Sequence, residues 1–378
     1  MRKESDNRST PPHEPPMNSS VNSSVFSRLD GHEQVVFADD PASGLRCIVA
    51  IHSTALGPSL GGTRFRPYPN DDAALADVLR LSRAMTLKNA SAGLDHGGGK
   101  AVIIGDPAVL RSEELFRSYG RVVQSLSGRY ITACDVGTKP ADMTVVHRET
   151  GWVTGMEEAD GGSGDSGVFT AWGVYLGIRA CLLHVYGNDS AADRHIAIQG
   201  IGKVGRRLAE HLAADGAQLT LADIDDSAVT ALAGTLGAAT TSTDRIHAVP
   251  CDVFSPNALG AGLNDTTIPE LACQIVAGGA NNQLAEDRHG QLLAERGVLY
   301  APDFLINAGG VIQISDELHD GGYSQERARQ RTSVIPDRLL EIFALAQAQG
   351  IDTTSAAKHW AETRISSKGD PLRFRSFR

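Results

Sequence analysis

Glycines at 200, 202 and 205 separate a β-branched run, residues 195–199 (HIAIQ), from an amphipathic stretch carrying Val204, Leu208 and Leu212. That spacing commits the segment to a strand, a tight turn and a helix, the fingerprint of a dinucleotide site. Gly200 makes the turn, Gly202 lets a pyrophosphate approach the backbone, and Gly205 lets helix and strand pack closely. The helix start adds amide donors and a positive dipole end, so Ile201, Lys203, Val204 and Arg206 flank a phosphate position. A second strand, residues 218–222, ends at Asp223, near the ~20-residue offset expected for a ribose-binding carboxylate. Asp225 and Asp226 follow, with no arginine placed to meet a 2′-phosphate, which indicates NAD rather than NADP. Those two carboxylates also suit a solvated turn.

From His195 onward the pattern is strand, helix, strand, the mark of a parallel sheet with crossover helices. Further strands are predicted at 251–254, 274–277 and 298–301. Each ends in a small or polar turn: Ser255-Pro256-Asn257, Gly278 to Asn282, and Pro302-Asp303. Ligands of such sheets bind beyond the carboxyl ends of the strands, so the nicotinamide is expected at these turns.

Upstream, residues 34–37 and 45–51 read as a hairpin closed by Asp39-Asp40-Pro41 and Gly44. Asp71 or Asp72 can cap a helix that presents Leu75, Val78, Leu79, Ser82 and Met85 on one face and brings Lys88 near its end. A glycine turn, Gly97-Gly98-Gly99, is expected to lead Lys100 into a Val- and Ile-rich strand. A helix from about Glu113 to Leu126 follows, then a strand, residues 130–133, running into Asp135. Gly161 to Asp165 reads as a loop or hinge, and Val168, Trp172, Tyr175, Ile178 and Leu182 mark one face of the next helix.

Lys88 and Lys100 carry the chemistry most directly. Two ammonium groups sharing a partly buried cleft repel each other, and desolvation adds to that, so one of them is driven toward the neutral form. Such an amine can act as a base near neutral pH. A phosphate-cradling P-loop is excluded, because Ala101 follows Lys100 and position 94 is Leu.

Composition excludes several classes of function. A chain of 378 residues suggests two domains, and its net charge of −10 argues against nucleic acid or an anionic membrane as partner. No run approaches eighteen apolar residues, and the first residues lack the apolar core of a secretory signal. Five scattered cysteines, without a Cys-x-x-Cys pair, fit free thiols in a reducing cytoplasm and offer no metal-site spacing. Residues 1–24, rich in Pro and Ser, read as a disordered arm.

Beyond these readings, several blocks resemble the glutamate/leucine/phenylalanine/valine dehydrogenase family: residues 57–64 (GPSLGGTR), the two lysine segments, 131–138 (ITACDVGT), 280–284 (ANNQL) and 300–311 (YAPDFLINAGGV). The similarity runs from about residue 25 to the C-terminal region and is closest to the valine and leucine members. It implies a two-domain α/β fold with the active cleft between domains. One domain, for substrate and oligomerisation, would comprise residues 25–154 plus 335–378; the other, a Rossmann-type doubly wound NAD domain, residues 155–334. It implies that Lys88 binds the substrate α-carboxylate with backbone near Gly61 and Gly62. Lys100 would be the general base that activates water, and Asp135 would hold the amine. Thr170, Asn281 and Asn307 match positions near nicotinamide or substrate. The implied reaction is reversible oxidative deamination of an amino acid to the 2-oxo acid and ammonia, by a homo-oligomer.

Leu60, Ala133, Val311 and Ile314 match the positions that line the substrate side-chain pocket. All are aliphatic, so a glutamate side chain would be buried without a partner. Leu60 with Ile314 suggests a tight pocket that favours valine, with leucine and isoleucine overlapping, since one methylene is worth only ~1–3 kcal/mol. A phenylalanine-selective enzyme is the alternative within the family, and a catalytically silent NAD-binding regulator is the alternative outside it. One position departs from the family pattern: Asn257 stands where valine and leucine members typically carry Cys, and altered packing or affinity with activity retained is expected there. The stretch Gly161 to Asp165 is more similar to the valine and phenylalanine members than to the leucine ones.

Overall fold

The computed structural model describes residues 24–258 and 260–369. The arm expected at 1–24 therefore lies outside the described residues except for Ser24. The described residues 24–30 belong to a unit of their own and include the helical turn Val25–Arg28, whose Phe26 amide donates to Ser24 Oγ. From Gly31 onward the chain builds two β-sheets with helices packed on them.

The first sheet has the order β1-β2-β4-β3-β5, with β1 Gln34–Asp40, β2 Leu45–Ser53, β3 Ser59–Arg66, β4 Gly97–Ile104 and β5 Tyr130–Cys134. β1 and β2 form the expected antiparallel hairpin, while β3 runs parallel to both β4 and β5. One face of this sheet is closed by the helix Glu113–Ser125: Leu115, Phe116 and Tyr119 pack with Phe65, Ala101 and Ile103. Its other face receives the long helix Asp71–Ser91. Asn70, rather than Asp71 or Asp72, caps that helix by accepting from the Ala73 amide, and the two aspartates occupy the first turn. An acidic first turn still suits the helix dipole.

The glycine run before Lys100 is not a turn. Gly97, Gly98 and Gly99 are the first residues of β4, and their side of the strand is crowded rather than bent. A Cβ on Gly98 would lie 2.1 Å from the Thr86 amide nitrogen, and one on Gly97 1.9 Å from the Ser53 carbonyl oxygen. With no side chain at Gly98, the helix Asp71–Ser91 settles directly onto that face of the strand, while Gly97 leaves room for the end of β2. Asn89, fully buried, fixes the arrangement: its Nδ2 donates to Gly97 O at 2.6 Å and Leu60 O at 3.1 Å.

The second sheet is parallel throughout, in the order β11-β10-β9-β6-β7-β8. Its strands are β6 His195–Gln199, β7 Gln218–Ala222, β8 Ala239–Thr240, β9 Val253–Pro256, β10 Ile275–Val276 and β11 Leu299–Tyr300. β8 was not anticipated. β9 starts two residues later than expected, where Val253 meets Ile196 across the ladder. This order reverses between β6 and β9, the switch point at which doubly wound sheets bind ligands.

The helix Gly167–Tyr186 has the length and mean hydropathy of a membrane span, yet it is a core helix, packed on the helices Lys203–Ala214 and Val334–Gln349. Its buried face is Ala171, Val174, Ile178, Cys181 and Leu182; Val168, expected on that face, is exposed. The helix Thr353–Lys368 packs against the helix Asp71–Ser91, and Arg364 donates to Leu94 O and pairs with Asp95.

Two glycine-to-alanine substitutions should behave oppositely in chemical denaturation. Gly98→Ala should destabilise by on the order of 3 kcal/mol, because its methyl group meets helix backbone. Gly234→Ala, on the exposed side of a helix with nothing within 4 Å, should stabilise by about 0.5–1 kcal/mol.

Candidate active site

Lys100 lies in the interior of β4, on the strand face that meets the helix Asp71–Ser91, and its Nζ is 2.8 Å from Asp135 Oδ2. Asp135 directly follows β5, where the strand gives way to a turn that Thr138 Oγ1 closes by accepting from the Asp135 amide at 2.9 Å. The same Oδ2 accepts from Arg64 Nε at 3.1 Å. Burial by itself would raise the Asp135 carboxyl, but Lys100 and Arg64 outweigh it and hold the group well below the usual carboxylate range.

Lys88 faces the same cleft from the last turn of its helix and reaches Asn281 Oδ1, 3.4 Å away, in the loop beyond β10. Burial pulls its amine down to about 8; Lys100 acts in the same direction, and Asp303 and Asp135 oppose it. Neither amine points into bulk solvent. Burial thus acts on the Lys88 amine, while the base role was expected at Lys100.

Asn307 donates to Asn281 Oδ1 at 2.9 Å and to Gly279 O at 3.2 Å, so Lys88, Asn281 and Asn307 form one chain of contacts. Asn307 Oδ1 is buried without a partner, and an acceptor in that position suits a ligand amine. Thr170 donates to Ser166 O at 2.9 Å in the first turn of its helix and lies against Gly310.

Leu60 and Val311 belong to one apolar cluster, with Met85 and Ile314 packed on it. Ala133 is buried in β5 at the level of Gly62. Gly61 and Gly62 lie inside β3. A Cβ on Gly61 would be 1.8 Å from Gly99 O, and one on Gly62 3.0 Å from Asp135 Cβ. Their lack of side chains lets β4 and Asp135 approach. Tyr130 Oη already donates to Gly61 O at 2.7 Å.

The glycine loop follows the expected division of labour. Gly200 has φ +86°, the left-handed conformation of a tight turn. A Cβ on Gly205 would be 1.9 Å from Gly200 O, while one on Gly202 would meet nothing within 4 Å, leaving backbone open to a phosphate. Gly202 caps the helix Lys203–Ala214 without a side-chain bond, so the amides of its first turn remain available. A concavity of about 520 Å³ lies there, lined by Ile201, Gly202, Lys203, Arg206, Arg207 and Glu210. Val204 instead turns inward, toward Gly279. Asp223 accepts from the Ile201 amide at 2.7 Å and the Asp225 amide at 3.1 Å, and the remaining lone pairs of a carboxylate can still meet ribose hydroxyls. Asp225 is the N-cap of the next helix, as a turn residue would be.

Asn257 is a brace between loops. Its Oδ1 accepts from the Gly279 amide at 2.8 Å, and its Nδ2 donates to Ser255 O and Oγ, both at 3.0 Å. Three residues were not singled out from sequence. Arg64 stands inside the motif 57–64, and Asn89 lies in a polar helix end, residues 85–91 (MTLKNAS), that gives no signal of its burial. Asp303 accepts from the Gln283 and Phe304 amides; burial raises its carboxyl, and those amides and Lys88 counter it. The turn after β11 was the available signal.

Among the described residues, Asp265, Glu286 and His289 bring ligand-type atoms within 4.8 Å of one another. Arg288 already occupies both carboxylates, at 2.6 and 2.5 Å to Asp265 and 2.9 Å to Glu286. That group is an ion-pair network on the surface.

A parallel sheet with a phosphate-type glycine loop at its switch point, facing a lysine–aspartate cleft, is the framework of a dinucleotide-dependent oxidoreductase. Comparison with known proteins gives the family. Residues 32–152 match the Glu/Leu/Phe/Val dehydrogenase dimerisation domain, and 223–366 match the Glutamate/Leucine/Phenylalanine/Valine dehydrogenase domain. A valine dehydrogenase of Streptomyces albus is 52% identical over 339 residues, covering 89% of this chain and 93% of that protein. A leucine dehydrogenase of Bacillus cereus is 49% identical, covering 91% and 94%. The crystal structure of an L-tryptophan dehydrogenase from Nostoc punctiforme superposes with a TM-score of 0.78 at 41% identity, covering 89% of this chain and 97% of that one. The chain belongs to the glutamate/leucine/phenylalanine/valine dehydrogenase family, and it is an amino-acid dehydrogenase.

The depressed Lys88 amine can be checked directly. In protein labelled with ¹³C at lysine Cε, one resonance should titrate with a midpoint of about 8 and vanish in Lys88→Arg. A spectrum in which every lysine titrates above pH 10 would contradict the burial described for Lys88.

Proposed function

We propose that this chain carries out the NAD-dependent, reversible oxidative deamination of a branched-chain L-amino acid, with valine favoured and leucine and isoleucine also accepted. The observation that carries the reading is the Lys100–Asp135 pair at 2.8 Å, with Lys88 in the same cleft. When bound, NAD supplies the acceptor for the hydride leaving Cα. The residues that would hold it are Gly200, Ile201, Gly202, Lys203, Val204, Gly205, Arg206 and Asp223, with Thr170 and Asn281 toward the reacting end.

Lys88 would take the substrate carboxylate, and an incoming anion would restore full charge to a buried amine held near its midpoint. Asp135 and Asn307 Oδ1 would hold the ammonium group, and Asp135 would assist transfer to solvent of the proton that this group must lose before hydride departure leaves an iminium. That second cation beside Asp135 would favour release of the Lys100 proton, freeing an amine to activate water against the iminium carbon. The backbone near Gly61 and Gly62 would complete the carboxylate site. Leu60, Ala133, Val311 and Ile314 would enclose the side chain. These residues include no charge to match a glutamate, which supports an aliphatic substrate.

The division we propose is a substrate and assembly domain of residues 25–154 with 335–378, and an NAD domain of 155–334. The packing of the helix Thr353–Lys368 on the Lys88 helix supports the C-terminal return. Residues 370–378 lie outside the described residues. We place the enzyme in the cytoplasm as a homo-oligomer, with no nucleic-acid or membrane partner.

Absorbance at the NADH band across a panel of amino acids tests the reading. L-Valine with NAD should give the highest kcat/KM, L-leucine and L-isoleucine should follow within about 100-fold, and the optimum should be alkaline. Faster turnover of L-phenylalanine would favour the aromatic alternative. Lys100→Ala should lower kcat by on the order of 10³-fold; a variant that retained most turnover would remove Lys100 from the base role.

A further inference from the structure

Arg64 is the second cation on the Asp135 carboxylate, beside Lys100. It sits in β3 opposite Val102 of β4, and its side chain is only 17% exposed. Nε donates to Asp135 Oδ2, the oxygen that also faces Lys100, and NH1 donates to Asp77 Oδ2 at 3.0 Å. Asp77, in the Lys88 helix, is held in turn by Tyr68 Oη at 2.8 Å and Arg80 at 2.9 Å. The guanidinium therefore spans from the catalytic strand ends to the helix that carries Lys88.

We propose that Arg64 is a positioning residue for the deamination chemistry: it aims the Asp135 carboxylate and keeps it charged while Lys100 gives up its proton. This inference rests on the reading given under Proposed function. The physical need is specific. If Lys100 were the sole protein cation on Asp135, a neutral Lys100 would leave the buried carboxylate with only the substrate's transient charge beside it, and Asp135 would compete for the proton. A guanidinium does not deprotonate in proteins, so it supplies a permanent counter-charge. Its second arm fixes its direction through Asp77, and Asp77 already has its own partners. The charged and titratable groups around Asp135 are Lys100 on β4, Arg64 on β3, Lys88 and Asp77 on the long helix, Tyr130 on β5, and Asp303 across the cleft near Lys88. Removing Arg64 makes this set more negative, which strengthens proton binding at the remaining basic groups.

The test compares Arg64→Gln, Arg64→Lys and Asp77→Asn with the parent enzyme in NAD-dependent oxidation of L-valine from pH 6 to 11. The parent must first turn over L-valine; if it does not, the functional reading fails and the positional question does not arise. Given activity, Arg64→Gln should lose about tenfold or more in kcat with KM for valine changed far less. The acid limb of its kcat/KM profile should move up by about one pH unit. Arg64→Lys, which keeps the charge but loses the fork, should leave the limb in place while recovering only part of kcat. Asp77→Asn, which removes a negative charge from this set, should lower kcat modestly and move the limb slightly down, opposite to Arg64→Gln. A folded Arg64→Gln with parental kcat, or with lowered kcat and an unmoved acid limb, would overturn the proposal. Should Arg64→Gln not fold, an Arg64→Lys profile with a displaced limb would overturn it equally.

Discussion

The Asp135 carboxylate sits between Lys100 and Arg64, and much of the first sheet is arranged to allow this. A single buried charge would be expensive, and two cations on one oxygen make it tenable. Getting them there requires close spacing of β3, β4 and β5, which the glycines at 61, 62 and 97–99 permit. The long helix then lies directly on the strands, and its last turn carries Lys88 into the cleft. Removing space at the sheet thus becomes an electrostatic arrangement at the site.

The other half of the site comes from the ends of a parallel sheet. Gly200, Asn257, Gly279 and Asp303 follow β6, β9, β10 and β11, and hydrogen bonds link their turns into one rim. Asn257 is central to it, since its amide group joins the β9 turn to the Gly278-Gly279 turn. A cysteine could not span that gap with two hydrogen-bonding arms, which an asparagine side chain supplies.

Much of this was legible before any coordinates. The tight turn at Gly200 and the close packing at Gly205 follow the glycine spacing, because each answers a local steric demand. The hairpin of β1 and β2, the long helices and the aspartate at the end of β5 were also readable from periodicity and turn chemistry. What was misread shares one cause. The run at 97–99 looked like a turn because glycine permits turns; it is a strand because a neighbouring helix needs the space. Val168 fits the helical period and is exposed, since periodicity gives spacing without saying which side is covered. The cap fell on Asn70 because several adjacent polar residues could all serve.

The two-domain plan and the role of Asp135 rested on the family resemblance; sequence by itself determined the parallel α/β pattern from residue 195, the dinucleotide loop and the candidate lysine pair. These follow from local backbone preferences and from residue chemistry, which neighbours in the chain suffice to express. Only the tertiary structure decided that burial acts on the Lys88 amine, that Arg64 shares Asp135 with Lys100, and that Asn281 and Asn307 meet Lys88 across the cleft. Such properties depend on burial and on distances between groups far apart in the chain, and those distances exist only once the sheets and the long helix have packed.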